Sequence, residues 1–198
     1  LALISDVPAD LTKSANVTPL STVIASVNTP EAKAAVLTAL GISGSAEELL
    51  TSDGWADAEG GDENAKANQR VNQQIGLLLQ TANTVTDDDD ESTDVSILLA
   101  QSVAKQVATV AQAQGSIDFT ASETIQTVLT DAAQEVIPAV VIETAAIAAI
   151  ASSLATVNTV VSDATLDPLS DTSSDIVAAS QNSLQASVAD VVSGAVSL

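Results

Sequence analysis

Four carboxylates, Asp53, Asp57, Glu59 and Asp62, fall within ten residues and are interleaved with three glycines in the stretch SDGWADAEGGDEN. Calcium takes about six to eight oxygen ligands, so a flexible acidic glycine loop is suitable material for a site. The EF-hand pattern is broken, because Trp55 stands where its second acidic ligand belongs. A single Gly-Gly is too few for the nonapeptide calcium repeat. Two readings stand for these four residues: a calcium site, or, more plainly, a solvated loop leading into a helix. A second acidic run, DDDDESTD, spans Asp87 to Asp94. Four adjacent aspartates with no glycine among them cannot all turn to one ion. That run reads as a hinge with a diffuse cation atmosphere, its charges set at the positive end of the next helix.

Other residues raise catalysis. Ser102-Val103-Ala104-Lys105 spells Ser-x-x-Lys, the spacing that puts a hydroxyl and an amine on one helix face. Its companion motifs, Ser-Asp-Asn and Lys-Thr-Gly, are absent, and a solvated polar face is the plainer reading. Asp163, Asp167, Asp171 and Asp175 recur every four residues, but Pro168 forbids the single helix that would align them. Asp171 and Asp175 suit the positive start of a last helix. Glu143 is the lone charge at the head of an apolar stretch, placed to cap or snorkel. Trp55 is the single tryptophan. It is either an exposed anchor for a sugar or partner, or a lid over a core poor in aromatics; the lid is the expectation.

The elements that must position these residues read as helices. Thr18-Pro19 and Thr29-Pro30 each pair an N-cap hydroxyl with a first-turn proline. Ser45–Glu48 and Thr120–Glu123 spell capping boxes, and Gly41 and Gly115 are stops. Val71, Ile75, Leu78, Leu79 and Ala82 share one helical face, as do Leu99, Val103, Val107 and Val110, and Ile125, Val128, Leu129 and Ala132. A final helix is expected from about Ser174. The segment from Ala139 to Val161 is the most apolar. Its alanine, serine and threonine content and its lack of basic flanks favour a central buried helix over a membrane span. The expectation is an all-α bundle of roughly six to eight helices, rich in Ala and Val, with acidic connecting loops. It is one domain over 1–198, with possible sub-units 1–86 and 92–198 joined at 87–91.

Composition bounds the partners. The chain has 198 residues, 26 acidic and 5 basic, for a formal net charge of −21. Such a surface repels phosphate backbones and anionic headgroups, which argues against nucleic acid and membrane surfaces and for divalent cations or basic company. There is no His or Cys, which removes the usual general base, thiolate and transition-metal ligands. No Met occurs and the chain opens at Leu1, so it is expected to be a processed or excised piece.

The stretch Asn16-Val17-Thr18-Pro19-Leu20-Ser21-Thr22-Val23-Ile24 resembles the "TPLTTLV" opening of an Ala-rich helical module found in large secreted bacterial surface proteins. Those proteins often also carry RTX repeats or cadherin-like and other adhesin domains. Ala39-Leu40-Gly41-Ile42 is similar to that module's "ALGL" turn, and Asn68-Gln69-Arg70-Val71-Asn72-Gln73-Gln74 to its helix of alternating Asn and Gln. Asp53 and Gly61-Asp62 answer to its loop features, and Ile117–Ile125 to its "IDLTDAATI"-like segment. Gly54-Trp55 departs from the usual proline, and the acidic run is longer than usual. The resemblance implies an extracellular or cell-surface location in a larger bacterial protein, and no enzymatic activity. The expected function is a non-enzymatic structural or interaction module that self-associates, as in a fibre or matrix, or meets another surface protein. Alternatives are a calcium-responsive binding module and a helical carrier of an apolar small molecule.

Overall fold

The computed structural model describes residues 3–10, 12–85, 93–136 and 144–192. Among them lie nine helices and no strand: α1 (Pro19–Ala25), α2 (Pro30–Ala39), α3 (Ala46–Thr51), α4 (Gly54–Glu59), α5 (Glu63–Val85), α6 (Thr93–Gln114), α7 (Ser122–Val136), α8 (Thr144–Val161) and α9 (Asp171–Val192). The fold is all-α. The Asp87–Glu91 run, Pro138 and Glu143 lie outside the described residues.

Local chemistry starts the helices where the sequence places them. Thr18 and Ser45 form capping boxes with Ser21 and Glu48, and Thr29 accepts from the Ala32 N–H. Each hydroxyl satisfies an amide that the first turn leaves without an internal partner. Gly41 and Gly115 take φ of 68° and 71° just past α2 and α6, a conformation that strains any residue with a Cβ.

The apolar faces then meet in one buried cluster that draws on both sides of the 86–92 segment. It includes Val23 of α1, Val36 of α2, Leu78 of α5, Val107 of α6, Val128 of α7 and Leu154 of α8. These side chains are small, so helices must approach closely to bury them without voids. Gly76 shows how close: a Cβ there would sit 3.3 Å from Pro19 Cγ, so α1 lies almost on the α5 backbone.

Three expectations need correction. The acidic stretch after Ser52 is not all loop, because Asp53 Oδ1 accepts from the Ala56 N–H and nucleates α4. Thr120 does not cap α7: its N–H and hydroxyl both donate to Asp118 Oδ1, a tight turn that outcompetes the box. The helix touching most neighbours is α5, which packs on α1, α4, α6, α8 and α9. Helix α8 instead shows solvent a face of Ser152, Ser153, Thr156 and Thr159. Thr156 and Thr159 return their hydroxyls to carbonyls one turn back, so they satisfy themselves at the surface. Among the described residues no helix is long and apolar enough to cross a membrane.

Candidate functional site

Helix α5 carries amides at Asn64, Asn68 and Asn72, four residues apart and so on one face, with Gln69 and Gln73 beside them. This face forms one wall of a surface cleft of about 670 Å³, whose other walls come from α1, α3 and α4. The amides lash the opposite walls in place. Asn72 Oδ1 accepts from the Leu20 N–H at 3.0 Å, satisfying an amide in the first turn of α1. Asn68 exchanges two bonds with the Ser43 backbone, accepting from its N–H and donating to its carbonyl. Across the cleft, Asn16 Nδ2 donates to the carbonyls of Leu49 and Ser52, and the Asn16 N–H donates to Leu50. The outer face of α5 does the same for the loop ahead of α9: Arg70 donates to the carbonyls of Ala164 and Leu166, and Gln73 to that of Pro168. Asp163 faces Arg70 but is lowered mainly by bonds from the Thr165 N–H and hydroxyl.

The four candidate calcium ligands all lie on this side of the molecule, yet they divide into separate tasks. Asp53 caps α4, and Asp62 Oδ1 caps α5 by accepting from the Asn64 and Ala65 N–H groups. Asp57 and Glu59 are exposed on α4. Among the described residues no three carboxylates form a group able to hold a metal ion.

Trp55 is not the lid expected of it. It is 54% exposed and lines the cleft, while Ala58, three residues on along α4, is the residue of that helix that is buried, at 1%. Among the described residues five carboxylates also line the cleft, those of Asp6, Glu48, Asp53, Asp57 and Asp62, and no basic residue does. Asp6 pairs with Lys33 outside it, and Glu48 is held below the usual carboxylate range by its bonds from the Ser45 N–H and hydroxyl. Among the described residues, Gln69 and Asp57 are the cleft's amide and charged side chains that no partner occupies. A second cleft, of about 800 Å³, lies between the N-terminal strap and α2, where Asp6–Lys33 and the bond from the Ala9 N–H to Glu47 hold the strap down.

The Ser-x-x-Lys pair lies elsewhere, on α6. Glu135 of α7 stands between its members, accepting from Ser102 Oγ at 2.9 Å and from Lys105 Nζ. The Lys105 ammonium, then the Ser102 hydroxyl, hold the Glu135 carboxyl below its ordinary value. A carboxylate so stabilised is a weak base towards the serine proton, and the ammonium is already occupied. The arrangement is a clamp between α6 and α7.

The spacing of Asn64, Asn68 and Asn72 was a visible signal of a shared polar face, but not of what it would hold. The fold and its site define an acidic all-α bundle with a polar surface cleft. No family model matches the chain, and neither a curated protein nor a solved structure matches it.

Proposed function

We propose that this chain is a non-enzymatic structural and interaction module of a secreted or cell-surface bacterial protein, associating with copies of itself or with another surface protein. One observation carries the reading: its polar side chains are spent on architecture. Asn16, Asn68, Asn72, Arg70 and Gln73 tie loops to helices, and Ser102 and Lys105 clamp two helices through Glu135. Loops fixed in this way present a surface of constant shape, which recognition of a partner requires. The resemblance at Thr18–Ile24 and the charge of −21, which favours solubility in salty water, support a surface location.

Light scattering across a concentration series, with electron microscopy of the concentrated sample, tests the self-association: growing species or filaments are expected. A strictly monomeric protein at the highest concentration would leave only a heterologous partner. The calcium-responsive alternative draws on the unoccupied carboxylate of Asp57 beside Asp53, Glu59 and Asp62. A melting temperature that rises from EDTA to excess calcium would favour it. The apolar-carrier alternative draws less support, since both clefts carry carboxylates in their walls.

A further inference from the structure

We propose that the cleft between α1, α3, α4 and α5 is a binding site for a neutral saccharide. The inference rests on the reading of the chain as a non-enzymatic interaction module, and names what its surface recognises.

Three side chains in the cleft are left over from folding. The Trp55 indole is more than half exposed, and Gln69 and Asp57 have no partner among the described residues. The other charged and amide side chains of the cleft cap a helix, tie down a loop or pair with a lysine. The spared set has a definite chemistry. An indole is a flat apolar face on which the C–H face of a pyranose ring stacks. A glutamine amide both donates and accepts, and a carboxylate accepts through two oxygens, so together they satisfy hydroxyls that themselves donate and accept. Gln69 is set against α4, where a Cβ on Gly54 would lie 3.5 Å from its Nε2, so amide and indole belong to one packed unit.

Charge narrows the class. Among the described residues five carboxylates and no basic residue line the cleft, so uronic, sialic, sulfated and phosphorylated sugars are repelled. A bare ammonium would make no use of the Gln69 donors, and among the described residues calcium finds no three-carboxylate group. The volume of about 670 Å³ is that of an ordinary small-ligand cleft. Its walls are already fixed by the Asn16, Asn68 and Asn72 bonds, so a ligand need not order them.

The test uses the whole chain on an array of neutral and acidic glycans. Each hit is then titrated in solution by the emission of Trp55, which as the single tryptophan reports on this cleft alone. Neutral glycans are expected to bind and to shift the emission. Trp55→Ala should abolish array binding, and Gln69→Ala and Asp57→Ala should each weaken it by up to about tenfold, the worth of one hydrogen bond. Among the described residues none of the three side chains makes a hydrogen bond or ion pair, and Trp55 and Asp57 are exposed, so thermal melts close to the parent's are the control. Binding of acidic glycans only, or of no glycan, overturns the proposal. So does neutral-glycan binding that survives Trp55→Ala, and so does an emission change produced by spermine or calcium but by no neutral sugar. A glycan bound and then cleaved would keep the site and sink the non-enzymatic reading. Self-association without glycan binding would do the reverse.

Discussion

The two ends of α5 hold the molecule together by different means. From Gln74 to Ala82 the helix is mostly buried, and Ile75, Leu77, Leu78, Leu79 and Ala82 are its apolar contribution to the core. From Glu63 to Gln73 it is only partly covered, and there its amides and Arg70 hold α1, the Ser43 turn and the loop ahead of α9 by hydrogen bonds. The apolar end contributes in proportion to area removed from water and is indifferent to direction. The amide end contributes less per residue, because each bond replaces one to water, but it fixes which loop goes where. One helix thus supplies bulk stability at one end and the shape of the candidate site at the other.

Substitutions at the two ends should separate these contributions. Leu78→Ala removes a fully buried side chain and should cost about 2–5 kcal/mol of global stability, read by denaturant unfolding. A cost no larger than that of an amide substitution would break the contrast. Asn72→Ala leaves the Leu20 N–H without its acceptor and should cost about 1 kcal/mol, with faster amide exchange concentrated in α1. Exchange that rises evenly through the core instead would show that the amide end is part of the global cooperative unit.

The smallest effect is expected at the exposed clamp between α6 and α7. The side chains of Lys105 and Glu135 are 56% and 40% exposed, so solvent screens their pairing and its worth is below about 1 kcal/mol. Its sign with pH is defined. The folded carboxyl of Glu135 lies below its ordinary value of 4.5, so the unfolded chain takes up the proton first as pH falls. Its stabilisation is therefore complete above that ordinary value and is lost as pH drops through the lowered folded one. Glu135→Gln should melt slightly below the parent at neutral pH and converge with it in acid. A gap that widens in acid would contradict the assignment.

Much of this fold was legible in the sequence because helix signals are local. Thr18, Thr29 and Ser45 cap because a hydroxyl reaches the amide three residues on, and nothing distant has to cooperate. The faces containing Ile75, Leu78 and Leu79, or Ile125, Val128 and Leu129, follow from a period of 3.6. Where two local signals compete, the reading failed. Asp118 took Thr120 from its box, and Asp53 started a helix in what read as a loop. The site was less legible still. The acidic stretch at Asp53–Asp62 stands out for its charge, yet two of its four carboxylates, Asp53 and Asp62, cap helices, and the cleft side chains left over are Trp55, Asp57 and Gln69.

The sequence by itself determined an all-α chain, the main helix starts and stops, the aliphatic character of the core and the acidic surface, since each follows from residues near one another or from their sum. The tertiary structure alone decided that Asn16, Asn68 and Asn72 would bind distant backbone, that Glu135 would part Ser102 from Lys105, and that Trp55 would face solvent. Those outcomes depend on distant partners: Leu20 lies 52 residues from Asn72 in the chain, and Glu135 lies 30 from Lys105. No local period encodes which orphan amide or carboxylate the packing of helices brings within about 3 Å of a given side chain.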